Sequence, residues 1–68
     1  MARIEIDVTV IATTDLAFKV RSDVGTAWVL RRGNAFEPKN RAPEHRWKPP
    51  LEGALTIHEN LAHDKGLI

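Results

Sequence analysis

Ile4-Glu5-Ile6-Asp7-Val8-Thr9-Val10-Ile11 is the stretch from which the architecture follows. A β-strand sends successive side chains to opposite faces, so Ile4, Ile6, Val8 and Val10 share one face and Glu5, Asp7 and Thr9 the other. One apolar face and one polar face predict a half-buried strand. Such a strand needs both neighbours to pair with and an apolar layer to cover it.

Those neighbours can be read outward from it. Thr13-Thr14-Asp15 interrupts the alternation, and Leu16-Ala17-Phe18-Lys19-Val20-Arg21 restores it with Leu16, Phe18 and Val20 on one face. Ser22-Asp23-Val24-Gly25 combines an Asx-turn former with a glycine, so strands two and three, the latter Thr26-Ala27-Trp28-Val29-Leu30-Arg31, are expected to form a hairpin. Trp28, in mid-strand, is expected in the core. After Arg32-Gly33-Asn34 the periodicity stops, and all four prolines (Pro38, Pro43, Pro49 and Pro50) lie between Phe36 and Pro50. An irregular, basic, Pro-rich loop over 33–50 is therefore expected. Order resumes with a strand over Leu51-Glu52-Gly53-Ala54-Leu55-Thr56-Ile57 and two helical turns over Glu59–Lys65. Gly66 is placed as the left-handed cap, and Leu67 as its apolar contact. Thr56-x-x-Glu59 either forms a capping box or leaves Thr56 finishing the strand. Ile4, Ile6, Val8, Leu16, Phe18, Val20, Leu55 and Ile57 should form one core. The fold class is mainly β (α+β): residues 1–68 as a single compact domain, a four-stranded antiparallel sheet or partly open barrel with a short C-terminal helix.

Sixty-eight residues sit near the lower limit for one core, since a chain of this size buries only about 60% of its unfolded surface. With 43% hydrophobic and 28% charged residues the chain should nevertheless fold. The lack of cysteine removes disulfides and thiol ligands and predicts a reducing, cytoplasmic setting. Met1-Ala2-Arg3-Ile4-Glu5 does not read as a signal peptide, and no apolar run approaches the length of a membrane span. The net charge of +1 hides a division along the chain: Arg31, Arg32, Lys39, Arg41, Arg46 and Lys48 stand against only Glu37 and Glu44 between positions 31 and 48.

Enzyme chemistry has little to work with. The single serine, Ser22, falls in a turn, and Glu5 and Asp7 project from the polar face of a strand, where acids are normally solvated. His45, His58 and His63 lack the spacing of a metal site, and the glycines are scattered rather than gathered into a phosphate loop, so no metal and no cofactor is expected. Binding has more. Arg31, Arg32, Lys39, Arg41, Arg46, Trp47 and Lys48 are the candidate partner-binding residues. Cations beside Phe36, His45 and Trp47 suit single-stranded nucleic acid, where phosphates are neutralised and bases stack. Trp and Arg with neighbouring prolines, as in Arg46-Trp47-Lys48-Pro49-Pro50, suit a protein interface equally well. Alternatively, Trp47 and Phe36 fold back as a lid over a small core.

The hairpin of Leu16-Ala17-Phe18-Lys19-Val20 and Thr26-Ala27-Trp28-Val29-Leu30, followed by Leu55-Thr56-Ile57 and Leu61-Ala62-His63-Asp64-Lys65-Gly66-Leu67-Ile68, resembles very short phage and prophage accessory proteins. These share a hairpin with a tryptophan in its second strand and a terminal "LA-x-x-KGL" helix. The resemblance covers about two thirds of the chain, and the Phe36–Pro50 segment departs from it. It implies a non-enzymatic inhibitor or modulator that binds a host nucleic-acid-processing protein or ribonucleoprotein, the anti-CRISPR proteins that occupy a Cas effector being one such class. A small barrel that binds nucleic acid directly is the alternative.

Overall fold

The computed structural model describes residues 2–68, position 44 by its backbone alone. In chain order it contains β1 (Arg3–Thr13), β2 (Ala17–Arg21), β3 (Thr26–Leu30), β4 (Ala35–Pro38), a 3-10 turn (Glu44–Arg46), β5 (Leu51–His58) and α1 (Glu59–Asp64). The strands form one open antiparallel sheet in the order β3-β2-β1-β5-β4. The sheet thus has five strands rather than four, because part of the expected 33–50 loop, Ala35-Phe36-Glu37-Pro38, pairs with β5. Its proline is tolerated because β4 is an edge and Pro38 is its last residue.

A single sheet encloses a core here because β1 serves two partners along different halves. Arg3 to Val10 pair with β5, whereas Thr9 to Thr13 pair with β2. Between Val10 and Ala12 the β1–β2 register slips, leaving Ile11 as a bulge residue. A bulge bends and twists the strand that carries it. The two halves of the sheet consequently face one another, and the rings of Phe18 on β2 and Phe36 on β4 meet at 6.2 Å across strands that share no hydrogen bonds. Val8, Val10, Phe18, Val20, Val29, Phe36, Leu51, Leu55, Ile57, Ala62 and Leu67 form the buried core, with Ile4 and Ile6 packed against it. Each large apolar side chain among them contributes about 1.5–3 kcal/mol by leaving water.

Two expectations about this core are corrected. Leu16 is 76% exposed because its position lies beyond the end of β2, where it pairs only with Arg31 through a backbone hydrogen bond. Trp28 is 44% exposed. The tight turn, with the Ser22 N–H donating to the Gly25 carbonyl, sets Phe18 opposite Val29 and Lys19 opposite Trp28. Val29 therefore joins Phe18 on the apolar face, and Trp28 joins Lys19 outside.

The C-terminal segment closes one end. Thr56 belongs to β5 and His58 is the N-cap residue, without a side-chain cap, so the capping box does not form. The helix ends in a Schellman motif: the Leu67 N–H donates to Ala62 and the Gly66 N–H to His63, with Gly66 at φ 72°. Leu67 is buried as the accompanying apolar contact, and the Ser22 hydroxyl donates to its carbonyl at 2.7 Å. That bond ties the β2–β3 turn to the helix cap. A side chain at Gly25 would meet the Gly66 carbonyl oxygen at 2.6 Å, so close approach, and not a positive φ, accounts for this glycine.

Candidate functional site

The connection from β4 to β5 returns across the mouth that the open sheet leaves between β3 and β4. Trp47 is its anchor. The indole is half-buried and meets Phe36 edge-on at 5.4 Å and Phe18 at 6.5 Å. Its Nε1–H donates to the Ala42 carbonyl at 3.0 Å, which satisfies the one polar atom of a ring turned inward. The Arg31 guanidinium lies 5.5 Å from the Phe18 centroid and 5.8 Å from that of Trp47, with its Nε donating to the Thr14 carbonyl at 3.0 Å. Phe36 is thus a member of the core, and Trp47 is part of its cover.

The six cations among the seven candidate residues divide into two groups. Arg31 touches the Trp47 ring, Arg32 follows it in the exposed β3–β4 connection, and Arg46 and Lys48 flank Trp47 with exposed side chains. Arg31 on the ring, with the three exposed cations that adjoin it or Trp47 in the chain, forms a basic collar at one plugged opening. Lys39 and Arg41 lie elsewhere, at the end of β4. The Lys39 N–H donates to Glu52, and Arg41 closes a turn onto the Pro38 carbonyl at φ 55°. Both line a shallow cleft with Glu5, Asp7 and Glu37 on the outer face of the sheet. Carboxylates there offset the two cations, so a continuous basic loop is not what folding produces.

A second feature of the outer face was not legible in the linear sequence. The register sets Arg21, Thr9 and Glu52 in one row, and Lys39 continues it. These four residues line two adjoining open clefts of about 240 and 500 Å³, the smaller also bounded by Asp7 and Asp23. The row carries both signs of charge, and among the described residues no charged side chain is buried. Ser22 is engaged by the turn, its Oγ accepting from Val24 and Gly25 backbone N–H groups and donating to Leu67.

The histidines stay apart: His45 on the 3-10 turn, His58 at the end of β5, His63 on α1. Among the described residues no three His, Cys, Asp or Glu side chains gather as metal ligands would. The His58 Nδ1 is buried without a hydrogen-bond partner among them. No described helix is long and apolar enough to cross a membrane. Comparison with protein-family models, with curated proteins and with solved structures found no match.

Proposed function

We propose that this chain is a non-enzymatic binding protein of the mobile-element type, an inhibitor or modulator that docks on a host nucleic-acid-processing protein or ribonucleoprotein. A CRISPR effector complex in the cytoplasm is the partner suggested by the resemblance of its hairpin and terminal helix to phage accessory proteins. The observation that carries the reading is the cationic collar of Arg31, Arg32, Arg46 and Lys48 around the Trp47 plug. Charged rims steer a partner and fix its orientation while a rigid, pre-ordered scaffold lowers the entropy lost on docking.

Direct binding of single-stranded nucleic acid is the less favoured alternative, because the aromatic that the collar surrounds is not open for base stacking. Phe36, Phe18 and Arg31 already pack on the Trp47 ring. Affinity capture from host lysate, with and without nuclease, separates the two. A protein partner retained after nuclease and lost from an Arg46→Ala/Lys48→Ala variant supports docking on protein. Retention of nucleic acid alone, with affinity falling linearly against salt on logarithmic axes, would replace this reading by the alternative.

A further inference from the structure

The two edges of the sheet are not alike. β4 is short, ends in Pro38 and carries Glu37 on its exposed face, the kinds of feature that keep strands from pairing with other chains. β3, Thr26-Ala27-Trp28-Val29-Leu30, has neither charge, proline nor bulge. In its hairpin the Ser22–Gly25 and Leu16–Arg31 hydrogen bonds fix the alternation, so the backbone N–H groups of Thr26, Trp28 and Leu30 point away from β2. The same three residues carry exposed side chains, and Trp28 and Leu30 are 44% and 60% accessible. Backbone edge and apolar surface coincide on one strand.

We infer that β3 is a dimerisation edge that pairs antiparallel with β3 of a second copy, about a two-fold axis at Trp28. The strand is centred on that residue, so the symmetry that places Trp28 against Trp28 also places Thr26 against Leu30 of the other chain on both sides. Self-complementarity of this kind is what a two-fold interface requires. The register also matches charge. The turns that bound the strand, Ser22–Gly25 before it and Arg31–Asn34 after it, bring Asp23 of one copy and Arg32 of the other to the same end of the joint, twice over. Lys19, opposite Trp28 on β2, flanks the pair of indoles on each side. The joined sheet runs through ten strands and buries both exposed tryptophans. The contact draws on Arg32 of the collar but leaves Trp47, Arg46 and Lys48 outside it, so a variant altered at Arg46 and Lys48 tests the proposed function without touching the dimer.

Sedimentation velocity across a concentration series, from micromolar to millimolar, tests it. The expected result is a reversible monomer–dimer equilibrium, with hydrogen exchange at the Trp28 amide slowing as the dimer forms. Trp28→Lys should be monomeric throughout with an unchanged far-UV circular dichroism spectrum. Asp23→Arg should weaken association at least several-fold, and Asp23→Arg combined with Arg32→Asp should restore it. Should Trp28→Lys fail to fold, the concentration dependence of Trp28 amide exchange decides alone. A monomer at every concentration overturns the inference, as does a dimer that survives in folded Trp28→Lys or forms without protecting the Trp28 amide.

Discussion

Replacing Trp47 by alanine removes the plug from the open side of the sheet, and the structure lets the loss be apportioned. Two edge-on ring contacts, at 5.4 and 6.5 Å, contribute about 0.5–1.5 kcal/mol each beyond area burial. The Nε1–H bond to Ala42 contributes about 1 kcal/mol, and the Arg31 guanidinium about 0.5–1 kcal/mol. Contacts that share one ring are not additive, so the expected cost is about 2–4 kcal/mol. Domains of this length hold about 0.05–0.15 kcal/mol per residue, which makes that a large share of the whole. Trp47→Phe keeps the ring contacts, loses the hydrogen bond and should cost about 1 kcal/mol. Urea unfolding followed by far-UV circular dichroism measures both, with an unchanged m-value confirming that stability alone has moved. A midpoint unchanged in Trp47→Ala would refute the reasoning, because the indole would then be resting on the core without sealing it, and its free role in partner binding would reopen.

Further expectations concern the core and the loop. Phe18→Ala, at a residue 2% exposed and in contact with both Phe36 and Trp47, should cost about 3–5 kcal/mol, and a cooperative melt near that of the parent would show that the wrong face has been placed inside. Gly53→Ala should cost at least about 1–3 kcal/mol, since the new methyl would meet the Glu37 carbonyl oxygen, the Phe36 ring and Pro38 Cα; a gain in melting temperature would mean that β4 sits farther from β5 than described. Arg41→Gly should stabilise by about 0.5–1 kcal/mol by relieving a left-handed backbone, and a lower melting temperature would argue that the Arg41 side chain holds the turn. Arg41→Ala, Arg46→Ala and Lys48→Ala together should leave the fold within about 0.5 kcal/mol per site, while a loss of partner binding should trace to Arg46 and Lys48.

Much of this fold was legible from alternation alone. The strict period of Ile4 to Val10 announced β1, Gly66 and Leu67 announced the helix cap, and the Ser22–Gly25 turn announced the hairpin. Trp28 was misplaced although the needed information was present: a two-residue turn fixes pairing partners, and counting back from it sets Trp28 against Lys19 and Val29 against Phe18. β4 escaped because its four residues are too few to establish a period, and a terminal proline masks an edge strand. The division of the cations was illegible for a different reason. Lys39 and Arg41 are near Arg46 in sequence, but the register of β4 on β5 carries them to the carboxylates of the outer face, and only the fold reveals that neighbourhood.

The pairing of β1 with β5 also bears on how the chain reaches its native state. Arg3 lies opposite His58, and the ladder between them runs the length of β5, so the central seam of the sheet joins the two most distant strands. Closing so large a loop costs entropy before any contact returns it, and topologies dominated by such pairings fold in milliseconds to seconds instead of microseconds. During synthesis β1 can find β2 as soon as Arg21 has emerged, yet its Arg3–Val8 portion waits for Leu51–His58. Until then Ile4, Ile6 and Val8 form an apolar, unpaired ribbon. The alternating Glu5 and Asp7 place like charges along that ribbon, the kind of feature that opposes pairing between copies of an unfinished chain.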